Sequence, residues 1–465
     1  MLETQPLKDG IVRGGPRVGL ALAGGGPLGI IYQIGALLAL DEALEGVDLN
    51  DLYVYGGVSV GAINAAALAN GFTPAKICHV FVRNDSTAFP LDPEHFMRPA
   101  FGLYWDCLKS VPGLLWDAIW GFIKNPQDRD ILAILNKLGP ALPPGLLDNG
   151  MIEEFLATMF SSRRRTNDFR RLKRKLFIVA TDLDTGEIIE FGTKVNSHIP
   201  ISKAVQASTA IPGLYPPVEI EGRYYVDGGV KKTVHASRAL ETGADLLICI
   251  NPLVPFNAKL AKPGEMRKME SLVDGGLPVV MSQTFYALIH SRMKIGLAKY
   301  AADYPDRDII LFEPNSGDTK MFFSNVFSFA NRRKVCEHAY QTTRRDLLAR
   351  KNELIPLFAR HGIGLRVDIL EDRSRHFDSH MVVPPEMSKL AKLRNQLTNS
   401  LSDTLDDLEA WLEVVQQKLP ATKSAEEVIE LSRPEEEPIS SRASKPVPPR
   451  AAAASAVGYL ASSRH

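Results

Sequence analysis

The pentapeptide Gly57-Val58-Ser59-Val60-Gly61 holds the serine whose surroundings most clearly suit covalent chemistry. At a tight turn between a strand and a helix, a serine hydroxyl is held exposed, and glycines on either side allow the turn to close. The amino end of the following helix carries partial positive charge, which stabilises an alkoxide or an oxyanion. The pattern therefore predicts Ser59 as the nucleophile of an acyl-transfer reaction.

A glycine-rich run, Gly24-Gly25-Gly26-Pro27-Leu28-Gly29, follows the first apolar stretch of the chain. Such a run lets several backbone N–H groups converge on one point, as the oxyanion of a tetrahedral intermediate requires. A dinucleotide-binding turn is the competing interpretation. It is weakened because Pro27 removes one N–H and because no acidic residue ends a second strand about 20 positions later. A turn that serves packing alone is the third interpretation.

Ser59 needs a base, and two Asp-Gly-Gly sequences offer a carboxylate. Asp227-Gly228-Gly229 ends a short aromatic stretch and follows the segment Ala207-Ser208-Thr209-Ala210-Ile211-Pro212-Gly213. The other candidate, Asp274, has no convincing strand before it. We therefore predict Asp227 as the general base.

Alternating strands and helices are predicted to position these residues. Helical spacing of apolar residues marks residues 30–44 and 62–69, and short apolar runs predict strands at 17–23, 52–56, 176–180, 246–250 and 309–312. This alternation is typical of an α/β domain with a central, mostly parallel sheet flanked by helices.

Three regions are predicted along the chain. We expect a catalytic domain over residues 15–360, with a helical insert at about 85–150 that holds Trp105, Trp116 and Trp120. Leucines every three or four residues predict a helical extension at 361–419. Residues 420–465 are acidic and rich in proline and alanine, so this tail is predicted to be disordered.

Composition narrows the class of protein. Lys plus Arg and Asp plus Glu are equal at 54 each, so the overall charge does not favour a nucleic-acid partner. The four cysteines are scattered and form no Cys-x-x-Cys pair, which argues against a disulfide framework or a zinc site. The first residues are too charged for a secretory signal, and no apolar run is long enough to span a membrane. These features predict a cytoplasmic protein.

Taken together and in this order, the glycine run, the serine pentapeptide, the Ala-Ser-x-Ala-Ile-Pro segment and the Asp-Gly-Gly turn resemble the patatin-like phospholipase family over about residues 15–250. The resemblance implies a Ser-Asp dyad that needs no metal or cofactor. Ser59 would attack an ester carbonyl and Asp227 would accept its proton, while the backbone of Gly24, Gly25 and Gly26 would form the oxyanion hole. Five further glycines belong to the family motifs: Gly29, Gly57, Gly61, Gly228 and Gly229.

Two positions depart from the family pattern. Many relatives have Arg or Lys where this chain has Leu28, and many continue the Asp-Gly-Gly turn with asparagine and proline, where this chain has Val230-Lys231. Neither departure touches the nucleophile or the base. The departure at Leu28 affects the glycine run or the recognition of an anionic head group.

Related serine enzymes fit the residues less well. An α/β-hydrolase needs a histidine after its acid, but no glycine or loop context singles out His235, His290, His338 or His361. Each is predicted to be a surface or structural histidine. A malonyl transferase of related fold normally has histidine at the position of Val58.

The implied reaction is hydrolysis of fatty acyl esters of glycerolipids, of the phospholipase A or lysophospholipase type. A catalytically silent lipid-binding scaffold, and an acyltransferase or thioesterase on the same fold, are the alternatives. A membrane phospholipid or lysophospholipid is the expected substrate, with peripheral contact at a membrane surface. The tryptophan-rich insert and the basic cluster Arg163–Lys175 are candidate contacts. Core packing explains the aromatic residues equally well, and a solvated helix face explains the basic cluster slightly better. The sequence leaves the oligomeric state open.

Overall fold

The structure, a computed structural model, describes residues 17–379 except 87, 92–97, 106, 108, 110–142, 232–233, 261–270 and 324–328. The predicted leucine-striped helix, the predicted tail, Trp116 and Trp120 lie outside the described residues. Among the described helices, none is both long enough and apolar enough to cross a membrane.

Short β-branched and apolar runs form the strands, as their composition predicts. The strands are β1 (Val18–Leu22), β2 (Leu44–Glu45), β3 (Val54–Val58), β4 (Lys175–Asp182), β5 (Ile188–Phe191), β6 (Val218–Ile220), β7 (Arg223–Asp227), β8 (Leu246–Ile250), β9 (Asp308–Phe312) and β10 (Gly364–Leu365). Following hydrogen-bonded neighbours, the main sheet has the order β6-β7-β4-β3-β1-β8-β9, and β5 also pairs with β4. A separate two-stranded sheet joins β2 to β10.

The expected mostly parallel sheet is confirmed. Strands β4, β3, β1, β8 and β9 run parallel, whereas β5 and β7 are antiparallel to β4 and β6 is antiparallel to β7. The carboxyl ends of the parallel strands therefore meet at one edge of the sheet, from which Ser59 and the glycine run both emerge.

Helices flank both faces of this sheet, as expected. They are α1 (Gly26–Ala43), α2 (Val60–Ala69), α3 (Pro74–Phe81), α4 (Gly150–Phe160), α5 (Ile201–Ser208), α6 (Ala236–Thr242), α7 (Gly276–Asp303), α8 (Thr319–Phe323), α9 (Phe329–Ala349), α10 (Lys351–Arg360) and α11 (Val367–Glu371). Helix α1 begins four residues earlier than the apolar spacing predicts, with Pro27 in its first turn. Proline suits that turn because its missing N–H would have no acceptor within the helix.

Alternate residues of the strands build two cores. Leu20 and Leu22 of β1 belong to a large core with α1, α2 and α9. Ala21 points to the other face, where a smaller core contains residues of α6 and α7. Because a strand presents successive side chains to opposite faces, this double burial explains why the parallel strands are almost continuously apolar.

The chain after α10 lies against the same body. Strand β10 pairs with β2, and the buried guanidinium of Arg344 donates hydrogen bonds to the carbonyls of Ile369 and Asp372, at 2.5 and 2.7 Å. These contacts tie residues 361–379 to α9. The division at residue 360 and the insert at about 85–150 stay predictions.

The basic cluster Arg163–Lys175 precedes β4 and therefore lies at the amino ends of the parallel strands. Several of its cations are engaged locally: Arg174 is bidentate to Asp51 at 2.7 and 2.6 Å, and Arg165 stacks 3.7 Å from the ring centre of Phe72. Ser59 is at the opposite edge of the sheet. The cluster is therefore poorly placed to bring a membrane to the nucleophile.

The start of α2 packs directly onto the end of β1, and only glycine permits this approach. A Cβ added to Gly61 would lie 2.4 Å from the carbonyl oxygen of Leu22 and 2.5 Å from that of Ala23. Distances this short require the backbone to move.

We expect Gly61→Ala to lower the free energy of unfolding by about 1–3 kcal/mol, because the new methyl group forces α2 away from β1. Gly102→Ala is the matched control, since a Cβ there meets no atom within 4 Å. Urea denaturation of both variants measures the difference. Equal urea midpoints for the two variants would show that α2 moves away from β1 without a loss of stability.

Candidate active site

Ser59 lies at the turn between β3 and α2, as the pentapeptide predicts. Its backbone has φ 55° and ψ −133°, and its side chain is buried. Positive φ is uncommon for a residue with a Cβ and is maintained only where surrounding contacts hold it. The nucleophile candidate is therefore set in a strained position at the amino end of a helix.

Asp227 meets Ser59 because two strands share one edge of β4. Strand β5 pairs with β4 over Ile178–Thr181, which leaves the other edge to β3 and β7. Val58 is in register with Val179, and Asp227 is in register with Ala180, the next residue. The residue that follows β3 therefore comes beside the carboxyl end of β7.

The carboxylate of Asp227 accepts a hydrogen bond from the Gly229 N–H at 2.7 Å, and the Ser59 hydroxyl lies near the same carboxylate. Asp227 is only 6% exposed, and burial raises its pKa to about 6 because desolvation disfavours the charged form. The nearby Ser59 hydroxyl and the Gly229 N–H oppose this rise without cancelling it. Near neutral pH the carboxylate is ionised and able to accept a proton.

The glycine run borders the nucleophile. A Cβ on Gly24 would lie 3.1 Å from the Cβ of Ser59, Gly25 precedes α1, and Gly26 is its first residue with φ +58°. The first N–H groups of a helix have no acceptor within it. The loop therefore brings unpaired helix-end amides next to Ser59, the arrangement that an oxyanion hole requires.

The remaining motif glycines allow backbones to approach closely. Added Cβ atoms would lie 2.4 Å from the Ala62 Cα for Gly57, 2.3 Å from the Val179 carbonyl oxygen for Gly228 and 3.0 Å from Asp227 Oδ1 for Gly229. A Cβ added to Gly29 would lie 3.0 Å from the Cγ of Pro252. These contacts hold the serine and aspartate turns against the sheet.

One residue of this site was missed by the sequence analysis. The hydroxyl of Ser208 accepts a hydrogen bond from the Ser59 N–H at 2.8 Å and donates one to the Val179 carbonyl at 2.6 Å. Two residues later, the Ala210 carbonyl accepts from the Asp227 N–H at 2.9 Å. The segment that follows α5 therefore holds the backbones of both predicted catalytic residues.

An apolar pocket opens beside Ser59. It has a cavity volume of about 40 Å³ and is lined mainly by aliphatic and aromatic side chains. Arg332 supplies a buried guanidinium to its wall and donates to the Phe81 carbonyl at 3.4 Å. The lining residues are Gly26, Pro27, Ile30, Ile31, Ser59, Val60, Ile63, Phe81, Leu91, Ile152, Thr209, Ile211, Tyr215 and Arg332.

Asp274 and the four histidines considered as alternative catalytic residues have other surroundings. Asp274 is exposed and closes a capping box with Ser271, whose N–H donates to Asp274 Oδ2 at 2.8 Å. His290, His338 and His361 each contact a carboxylate that is not Asp227: Glu313, Asp318 and Asp308 respectively. His235 is buried at the start of α6.

Acyl transfer requires a nucleophile, a base, an oxyanion site and a binding site for the acyl group. A hydroxyl near a carboxylate, amides at a helix end and an apolar pocket have the chemistry that these roles require. Within the part of the chain that the structure describes, no three His, Cys, Asp or Glu side chains are grouped to hold a metal ion.

We expect Ser208→Ala to lower kcat for a soluble ester by about 10- to 100-fold with little change in KM, because the Ser59 N–H loses its acceptor. Ser202→Ala is the matched control: Ser202 is equally buried in α5, but it hydrogen-bonds to Asn167 and Glu153 instead. The rate of fluorophosphonate labelling of Ser59 is a second readout. If both variants lost activity only in proportion to their stability, Ser208 would have no positioning role.

The sequences of two curated relatives align with only part of this chain. The uncharacterized protein R571 of Acanthamoeba polyphaga mimivirus is 25% identical over 211 residues, which are 45% of this chain and 57% of the relative. The uncharacterized NTE family protein Mb2594 of Mycobacterium bovis is 25% identical over 275 residues, 57% of this chain and 36% of the relative. The chain thus spans about half or less of the length of these relatives.

A solved structure, VipD from Legionella pneumophila, is 16% identical, aligns over 90% of each chain and has a TM-score of 0.29. Similarity at this level carries no weight for function. The match to a family is more specific: residues 20–240 fit the family model described as patatin-like phospholipase, and this range includes the glycine run, Ser59 and Asp227. Residues 20–240 of this chain therefore form a patatin-like phospholipase domain.

Proposed function

We propose that this protein hydrolyses fatty acyl esters of glycerolipids, as a phospholipase A or lysophospholipase, through an acyl intermediate on Ser59. The observation that carries the proposal is the proximity of the Ser59 hydroxyl to the buried Asp227 carboxylate, beside an apolar pocket. The match of residues 20–240 to the patatin-like phospholipase model supports the same class of reaction.

Acylation uses both side chains. Ser59 Oγ bonds to the ester carbonyl carbon while its proton passes to Asp227, and the carbonyl electron pair moves onto oxygen. The amides of Gly24, Gly25 and Gly26 donate to that oxyanion. When the intermediate collapses, the bond to the alcohol oxygen breaks and the proton on Asp227 passes to the leaving alkoxide.

Deacylation repeats the sequence with water. Asp227 takes a proton from a water molecule as its oxygen bonds to the acyl carbon, and the second intermediate expels Ser59 Oγ. The proton returns to Ser59 and the fatty acid is released. One carboxylate thus serves as base and then as acid in each half of the reaction.

The lining of the pocket supports an apolar group as the acyl component. Ile30, Ile63 and Ile211 line the pocket next to Ser59, so the acyl carbons that enter it leave water and contact aliphatic side chains. This placement sets the ester carbonyl at the mouth of the pocket, between Ser59 and the glycine run. A head group then extends away from the apolar lining.

We expect Ser59→Ala and Asp227→Asn each to lower kcat/KM for phospholipid by at least about 1000-fold, because a nucleophile and its base act as a unit. Asp274→Asn is the matched control and keeps most of the activity, since Asp274 only caps a short helical turn. Release of fatty acid from phospholipid and lysophospholipid is the measurement. A fluorophosphonate probe should label the wild type and leave Ser59→Ala unlabelled.

Equal losses of activity in Asp227→Asn and Asp274→Asn would show that Asp227 is the wrong choice of base. A wild-type protein that is not labelled and releases no fatty acid would be a lipid-binding scaffold. Faster transfer to an added alcohol or faster cleavage of an acyl thioester would identify an acyltransferase or a thioesterase.

The pKa of Asp227 sets the acid limit of activity. Because burial raises it to about 6, the carboxyl becomes protonated, and useless as a base, as the pH falls through that value. We expect kcat/KM for a soluble ester to fall about tenfold per pH unit below about pH 6. Circular dichroism at each pH checks that the protein stays folded. Constant activity down to pH 4.5 would mean that another group is the base.

A further inference from the structure

The first half of α7 lies beside the glycine run. The side-chain amide of Gln283 donates to the Phe256 carbonyl at 2.7 Å and its oxygen accepts from the Phe256 N–H at 3.0 Å. Tyr286 lines a small cavity together with Gly25 and Gly29. Since Phe256 follows the carboxyl end of β8, this part of α7 is at the same edge of the sheet as Ser59.

The other side of this half-helix presents apolar side chains to solvent. Met281, Phe285 and Leu288 are 61%, 40% and 56% exposed, and their spacing of four and three residues sets them on one helical face. Further along, Ile289 and Met293 are buried, where α7 packs against the sheet. The helix is therefore anchored by its second half, and its first half offers an uncovered apolar face.

The charge pattern of α7 distinguishes this face from an ordinary solvated one. No Asp, Glu, Lys or Arg occurs from residue 276 to residue 291, and the first charged side chains are the exposed cations Arg292 and Lys294. The first acidic residue of the helix is Asp303, at its end. Arg292, four residues after Leu288, lies on the same side of the helix as the apolar face. An apolar face that ends in a cation matches a surface that inserts among lipid chains and meets anionic head groups.

We propose that the outer face of α7, formed by Met281, Phe285 and Leu288 with Arg292 behind it, docks on an anionic phospholipid bilayer. The inference rests on the proposed function, because a lipid ester must pass from the bilayer to the pocket beside Ser59. Docking through this face sets the edge of the sheet that bears Ser59 toward the lipid. The basic cluster before β4 is at the far edge and takes no part.

The test separates docking from catalysis by measuring binding in a protein that cannot turn over. Full-length Ser59→Ala protein is sedimented with vesicles of equal parts phosphatidylcholine and phosphatidylglycerol, with and without the further changes Phe285→Glu and Leu288→Glu. We expect the double change to reduce the bound fraction at least about tenfold, since two inserted apolar side chains become charged. Ile355→Glu is the matched control, because Ile355 is similarly exposed at 42% on α10.

Hydrolysis by the otherwise wild-type protein completes the test. Phe285→Glu with Leu288→Glu should slow hydrolysis of vesicle lipid at least about tenfold and leave hydrolysis of a soluble short-chain ester unchanged, which also shows that the variant is folded. If the wild type hydrolyses neither substrate, the proposed function fails while vesicle binding still tests the docking face.

Two outcomes would overturn the docking proposal. In the first, the double variant sediments with vesicles as well as its parent. In the second, size-exclusion chromatography shows that the double change converts a dimer into a monomer without altering vesicle binding, so that a second copy of the chain covers the face. Equal binding to anionic vesicles and to vesicles of phosphatidylcholine alone would show that positive charge on α7 does not contribute to docking.

Discussion

The contact between the Ser59 hydroxyl and the Asp227 carboxylate depends on how β3 and β7 divide one edge of β4. Strand β3 occupies this edge as far as Val179, and β7 continues it from Ala180. A shift of register by one residue would turn every side chain of β7 to the other face of the sheet. The contact between these two side chains is therefore determined by backbone pairing and persists only while that pairing is maintained.

The segment after α5 reinforces the same arrangement. Ser208 satisfies the Ser59 N–H and Ala210 satisfies the Asp227 N–H, so the strained turn and the end of β7 are fixed to one short stretch of chain. Both contacts are buried, where an unsatisfied polar group is costly. Burial also raises the pKa of Asp227, so the exclusion of water that favours a dry apolar pocket makes the carboxylate a stronger base.

Local patterns sufficed to place Ser59, Asp227 and the glycine run at the ends of strands, because each belongs to a short turn that follows a strand. The parallel core of the sheet followed from the spacing of its apolar runs. The antiparallel placement of β5 and β7 on β4 could not be predicted, since it depends on pairing between distant segments. Ser208 was missed for the same reason: its hydroxyl acts on Ser59, 149 positions earlier in the chain.

Surface function was the hardest to predict. The basic cluster before β4 and the tryptophans of the insert drew attention by composition, yet the cluster lies at the edge opposite Ser59, and only Trp105 of those three tryptophans is among the described residues. The apolar face of α7 gave a weak signal because buried and exposed apolar residues alternate along the helix. Only the fold shows which of them lack a neighbour.

A crystal structure of the protein after reaction with a long-chain fluorophosphonate tests the central claim most directly. We expect phosphorus bonded to Ser59 Oγ, a phosphonyl oxygen about 3 Å from amide nitrogens of Gly24, Gly25 or Gly26, and the alkyl chain in the apolar pocket. The Asp227 carboxylate should remain beside the modified oxygen. A phosphonyl oxygen turned away from the glycine run, or an adduct on another residue, would contradict it.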